Sequence, residues 1–334
     1  MIITRVKRKA FCYTKIKVMS QLISVVVPLY NESAGISDFH KSLLGVLEKI
    51  DKPYELIYVD DGSSDETSRL VKQFRGDDKK IRLIKLSRNF GKEIATTAGM
   101  HIARGQAIIT LDADGQHPVE LIPDFIKCWE GGSKVVIGLR TDNQKEGFVK
   151  RFGSKLFYKI LNRFTKLKID PRATDFRLVD NSVRTEFARM TERNRITRGL
   201  IDWLGYERSY IKFKANPRLS GDAGYSFAKL FKLAIDSIIS LSVSPLYIVA
   251  YIGAIVLPIS AATGLVMVVN AVVGDPLGLN ATGTAYVVVL LLFLVGVLLV
   301  SQGIIGLYLS HIHTETQNRP LYIVDTDGSI DAEQ

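Results

Sequence analysis

Asp112 and Asp114 stand two apart in the run Asp112-Ala113-Asp114-Gly115-Gln116-His117-Pro118. They follow the apolar segment Gln106-Ala107-Ile108-Ile109-Thr110-Leu111, which reads as a buried strand, so both carboxylates leave the sheet at one point. Hard oxygen ligands at this density suit Mg2+ or Mn2+, ions that keep waters and share ligands with substrate phosphates. Gln116 offers a third oxygen to the same ion. Asp60 and Asp61 end a second apolar run, Glu55-Leu56-Ile57-Tyr58-Val59. Asp60 and Asp61 there suit hydrogen bonding to a nucleobase or ribose. Asp61-Gly62-Ser63-Ser64 also reads as turn and N-cap chemistry, and the two readings can coexist.

The elements that must position these groups alternate. Strands are expected at 22–28, 55–60, 81–86, 106–111 and 134–138, with helices over about 33–50, from a Ser63/Glu66 capping box to 74, and up to about 103. Strand–helix alternation predicts an α/β fold with a mostly parallel sheet and helices on both faces. Ligands bind such sheets at the carboxyl ends of the strands, where the polar runs lie. No GxGxxG follows the first strand and no GxxxxGK[ST] occurs, which excludes a dinucleotide fingerprint and a Walker phosphate loop.

Composition adds a membrane. The chain has 334 residues, 47% of them hydrophobic, and a net charge of +10. This apolar content excludes disorder, and Cys12 and Cys128 are too few for a disulfide framework or a cysteine zinc site. Charge and apolarity are segregated. Residues 1–139 carry net +4, residues 140–235 net +12, and residues 236–334 net −6. Between Asp236 and Glu315 the only charged residue is Asp275. A span needs about 20 apolar residues, and this window fits two, at about 245–273 and 284–309, split by a Gly/Pro/Asn loop. The basic segment abuts the first span, so the positive-inside rule puts both termini in the cytoplasm. Residues 226–243 place Phe227, Leu230, Phe231, Ala234 and Ile238 on one helical face, as a helix in the headgroup layer does. Residues 1–20 form a basic arm, with Met19 as an alternative start, and residues 311–334 form a cytoplasmic tail.

Four motifs together resemble the family 2 GT-A glycosyltransferases: Pro28-Leu29-Tyr30-Asn31-Glu32, Asp60-Asp61-Gly62-Ser63-Ser64-Asp65, Arg88-Asn89-Phe90-Gly91-Lys92-Glu93, and the Asp112–Pro118 run. The chain is most similar to the polyprenyl-phosphate branch, which holds dolichol-phosphate mannose synthases and two-span bactoprenol glucosyltransferases. Asp175-Phe176-Arg177-Leu178, Glu192-Arg193-Asn194-Arg195, Trp203-Leu204-Gly205 and Asn318-Arg319-Pro320 extend the resemblance. Two positions depart from it: Gly115 stands where leucine is common, and Gly221-Asp222-Ala223-Gly224-Tyr225 lacks the family's serine. The Arg-Trp pair of processive synthases is missing, so one sugar per acceptor is expected.

The resemblance implies a GT-A domain over 21–225, then the interfacial helix and the hairpin. It implies a nucleotide-sugar donor held by Pro28, Tyr30, Glu32, Asp60, Asp61, Lys92 and Arg218. A polyprenyl-phosphate acceptor would meet Arg140, Arg151 and Arg177, and Mg2+ or Mn2+ would sit on Asp112, Asp114 and Gln116. Asp175 becomes the carboxylate of the reacting centre, as a base, an orienting group or simply an ion-pair partner of Arg177. The donor is read as UDP-glucose, with GDP-mannose or a non-lipid acceptor as alternatives and a non-catalytic sugar-nucleotide-binding scaffold as the remaining reading. Phosphate-binding arginines and an anionic lipid surface account for the +12 segment. The spans and acidic strand ends argue against nucleic acid, and a homo-oligomer is left open.

Overall fold

A computed structural model describes residues 21–76, 78–141, 172–193, 195–216 and 283–330, with isolated positions between 251 and 274. Arg151, Arg218, the interfacial segment 226–243, the basic arm and most of the first expected span lie outside the described residues.

The element order is β1 (Ile23–Leu29), α1 (Ile36–Leu47), β2 (Tyr54–Asp60), α2 (Thr67–Arg75), β3 (Ile81–Lys85), α3 (Lys92–Ile102), β4 (Ala107–Thr110), α4 (Ile122–Glu130), β5 (Val135–Arg140), β6 (Ala173–Asp180), α5 (Asn181–Ala188), α6 (Thr197–Trp203), β7 (Arg208–Phe213) and α7 (Gly283–Thr316). Seven strands form one sheet in the order β3-β2-β1-β4-β6-β5-β7. Every pairing is parallel except the two made by β6. The β-branched runs of β1 and β2 are buried on both faces, as parallel strands between helical layers must be. One layer is built from α1, α2 and α4, with Phe39, Leu43 and Val71 in one core with β1 and β2, and Phe125 stacked on Phe176 of β6. The other is built from α3, α5 and α6, with Ala95, Ala98, Phe187 and Leu200 on the opposite face.

Two sequence features set where α3 lies. Its inward face is small, and a Cβ added at Gly99 would collide with Val26 Cγ1, so the helix axis rides close to β1. The first helical residue, Lys92, is thereby delivered to the carboxyl end of the sheet. The second feature is the switch between β1 and β4. The chain runs outward through β2 and β3, then returns to the other side of β1, which opens the crevice that ligands use in such folds.

Beyond the expected strands, β6 and β7 complete the sheet. The expected capping box is replaced by a different start: α2 begins at Thr67, whose N–H and hydroxyl both donate to Asp65 Oδ1. Ser63 turns instead to β1's loop and accepts from Asn31 N at 2.9 Å.

The chain closes on itself at its end. Helix α7 has 34 residues, about 51 Å at ~1.5 Å per residue, more than the ~30 Å of a bilayer core. Leu291, Phe293, Val295, Leu298 and Ile305 on it are exposed. It covers the second expected span, and one candidate membrane-crossing helix is present among the described residues. The tail beyond it folds back onto the outer edge of β3. Ile330 N donates to Leu83 O at 2.7 Å, Asp325 N to Lys85 O at 2.8 Å, and Ser87 N to Ile323 O at 2.9 Å. Tyr322 reaches across to His101 Nδ1 at 3.2 Å, and Glu315 accepts from Arg193 N at 2.8 Å.

Candidate active site

The crevice collects the ends of β1, β2, β4 and β6 and the start of α3. After β1, Asn31 adopts a left-handed φ of 54° and locks onto the β2 loop, with Ser64 N donating to Asn31 Oδ1 at 2.9 Å. Gly62 comes so close to the backbone of Arg88 that a Cβ would stand 2.5 Å from its carbonyl carbon. Its φ of 71° adds a second reason for glycine. Tyr30, 48% exposed, projects from this wall.

Asp60 and Asp61 are fully engaged by the protein itself. Asp60 is shut from solvent and accepts from Ser63 N at 2.8 Å and from the Ser68 hydroxyl. Asp61 accepts from Phe90 N at 2.7 Å and Gly91 N at 2.8 Å, fixing the loop that leads into α3. Burial raises the Asp61 carboxyl, and those two N–H groups pull it back. Both carboxylates thus shape the crevice wall, each of their oxygens taking a hydrogen bond from the surrounding loops.

The expected cation loop is held in place from both sides. Asp114 Oδ1 accepts from Gln116 N at 3.0 Å, across Gly115 with its φ of 74°. Asp112 N donates to His117 Nδ1 at 3.2 Å, so His117 is an acceptor on that nitrogen. His117 is buried against Phe176 and Phe213, and burial holds its pKa below the usual imidazole range.

Lys92 joins two of the expected residues. Its Nζ lies 2.7 Å from Asp112 Oδ1 and 2.8 Å from Asp175 Oδ2. Burial opposes the ammonium form, but Asp112 and Asp175 hold the Lys92 pKa well above its ordinary value. Burial likewise opposes the Asp175 carboxylate, and Lys92 and Arg198 override it, keeping Asp175 ionised. Glu93, the next residue, accepts from Thr197 N at 2.8 Å at the start of α6. Burial, then the charge of Asp175, raises its pKa.

Arg177 is buried and engaged by the protein itself. Only 2% of its side chain is exposed, and Nη1 pairs with Asp202 Oδ1 at 3.1 Å. Its Nε donates to Thr174 O at 3.0 Å. Asp202 also takes Arg208 Nη1 at 3.2 Å. The alternation of β6 points Asp175 and Arg177 to the same face, but α6 supplies the carboxylate that Arg177 meets. Arg140 ends β5, and its Nε is buried with no hydrogen-bond partner among the described residues. Sequence reading missed Glu93 and Asp202. The signal for Asp202 was a carboxylate inside the apolar run Leu200-Ile201-Asp202-Trp203.

A Glycosyl transferase family 2 model matches residues 24–187, which span β1 to α5. An uncharacterized glycosyltransferase of Synechocystis is 39% identical over 302 residues, 90% of this chain and 94% of its own length. This chain belongs to glycosyltransferase family 2. The bactoprenol glucosyl transferase of Shigella phage SfII is 35% identical over 305 residues, covering 90% of this chain and 97% of its own. Among solved structures, a Mycobacterium tuberculosis glucosyl-3-phosphoglycerate synthase with Mn2+ and uridine-diphosphate-glucose matches with a TM-score of 0.44 at 18% identity, over 66% of this chain and 78% of that one. As a family 2 glycosyltransferase, the chain places its motifs on the switch-point crevice, and the family match runs to the end of α5, the first helix after β6.

Proposed function

We propose that the chain transfers one glucose from UDP-glucose to undecaprenyl phosphate at the cytoplasmic face of the membrane, inverting the anomeric carbon. One observation carries the reading: similarity to a bactoprenol glucosyl transferase runs over 90% of the chain and 97% of that relative, well past the catalytic domain. The long exposed helix α7 is consistent with a lipid acceptor. A two-pass topology with both termini inside follows from the charge-free window and the +12 segment before it.

The donor would lie against Pro28, Tyr30 and Glu32, with Lys92 and Arg218 on its diphosphate and Asp60 and Asp61 holding the loops in shape. Asp112, Asp114 and Gln116 would hold Mg2+ or Mn2+. Among the described residues no three His, Cys, Asp or Glu side chains gather as a cation site, so the ion would need further ligands from water and the donor's phosphates. The Lys92 ammonium between Asp112 and Asp175 marks the place as one that stabilises positive charge. Such an ion, when bound, supplies charge stabilisation to the leaving nucleoside diphosphate.

The acceptor is a phosphate monoester, whose second pKa is about 6, so its oxygen is largely anionic at neutral pH and needs little help from a base. Asp175, kept ionised by Lys92 and Arg198, orients the sugar or takes a residual proton at its free oxygen. Arg140 offers its unpartnered Nε to the acceptor phosphate, with Arg151 beside it in sequence order. The test incubates purified protein with radiolabelled UDP-glucose, UDP-GlcNAc or GDP-mannose, Mg2+ and undecaprenyl phosphate. Labelled lipid with UDP-glucose is the expected result, and unlabelled lipid with every donor would sink the reading.

A further inference from the structure

Lys92 occupies an unusual place for a donor-binding residue. Its ammonium touches Asp112 at the end of β4 and Asp175 on β6, and so bridges two carboxylates from different strands, offsetting one of their two charges. Without a cation between them the two carboxylates would repel. The lysine is held there mainly by charge: 44% of its side chain is exposed, and its flexible stem can move. Asp112 is also one of the residues expected to hold a divalent ion. A free divalent ion approaching Asp112 therefore meets a positive charge already in contact with it, and the two compete for the same oxygens.

We propose that Lys92 is a resident cation of the crevice, occupying the carboxylates in the donor-free enzyme and moving to the donor's diphosphate when donor and metal arrive. This rests on the nucleotide-sugar reading above and adds an order of events to it. Metal alone binds weakly, because it must displace the ammonium. Nucleotide diphosphate gives the ammonium another partner and frees the carboxylates, so nucleotide and metal each tighten the other reciprocally.

The test measures Mn2+ binding by electron paramagnetic resonance on the full-length protein in detergent, with and without UDP. Wild type is compared with Lys92→Met and Lys92→Arg. Without UDP, Lys92→Met should bind Mn2+ roughly ten-fold more tightly than wild type, the size expected from removing two partly exposed ion pairs. Lys92→Arg, which keeps the charge, should stay near wild type. Addition of UDP should tighten Mn2+ binding far more in wild type than in Lys92→Met. If Lys92→Met is poorly folded by circular dichroism, Lys92→Gln takes its place. Equal or weaker Mn2+ binding by the neutral variant without UDP overturns the proposal. The lipid-labelling assay on wild type is scored separately, so loss of the transferase reading and loss of the Lys92 reading give different results.

Discussion

Replacing Asp202 by asparagine probes the charge cluster behind the crevice. Asp202 is 3% exposed at its side chain and its Oδ1 takes both Arg177 at 3.1 Å and Arg208 at 3.2 Å. Arg208 retains partial access to water, but Arg177 does not: 2% of its side chain is exposed, and its Nη2 has no hydrogen-bond partner among the described residues. Asparagine keeps the shape and removes the charge, leaving the buried guanidinium to the carbonyls of Thr174 and Arg198 and the more distant charge of Asp175. Removing one partner of a buried pair costs about 3–5 kcal/mol. For a domain of this size each kcal/mol lowers Tm by about 2–4 °C, so a fall of roughly 10 °C is expected. Thermal unfolding followed by tryptophan fluorescence in detergent reads it. The double variant Arg177→Met/Asp202→Leu should recover most of the loss, because removing both charges is close to neutral. A single variant within about 2–4 °C of wild type, or a double variant as unstable as the single, refutes the reasoning.

Asp114→Asn should lower lipid-product formation at least about 100-fold, the scale of losing a charge-stabilising group, while co-flotation with liposomes stays unchanged; wild-type rates would remove Asp114 from the metal set. Asp61→Ala leaves the Phe90 and Gly91 N–H groups without their carboxylate, costing about 1–3 kcal/mol; the midpoint of unfolding should fall and the KM for donor should rise as the loop before Lys92 loosens. His101, bonded to Tyr322 of the tail, is held near 4 by burial, then by Arg195 and Arg184, against an ordinary 6.5. It is neutral in both folded and unfolded chains above pH 6.5. Between 6.5 and 4 the unfolded chain takes the proton first, so this contribution to stability is lost as pH falls through that window. The pH dependence of unfolding should be shallower there in His101→Gln, and an unchanged slope would count against it.

Much of the crevice was legible because strand ends advertise themselves. Apolar β-branched runs stop at Pro28, Asp60 and Leu111, and a parallel sheet leaves polar residues there no other place to go. The antiparallel β6 and the edge strand β7 were not read, since Thr174-Asp175-Phe176-Arg177 breaks the apolar pattern with groups whose burial depends on partners far off in sequence. The capping box failed for a related reason. Ser63 had a better partner across the crevice, in Asn31 N, than at its own helix. Likewise Arg177 looked like a phosphate ligand until α6 brought Asp202 to it, and no local spacing announces a contact 25 residues away.

The returning tail has a mechanical consequence. An unpaired strand edge invites other strands, and Ile323 to Ile330 blunt the outer edge of β3 with the chain's own backbone. The same segment directly follows α7, whose Glu315 grips the loop before α6. A body moored at one point swings with the current; moored at two, it keeps its heading. The last turn of α7 and the residues after it act as the second mooring. They set the direction in which α7 leaves the domain that carries the cleft, a property that belongs to no residue of the cleft itself.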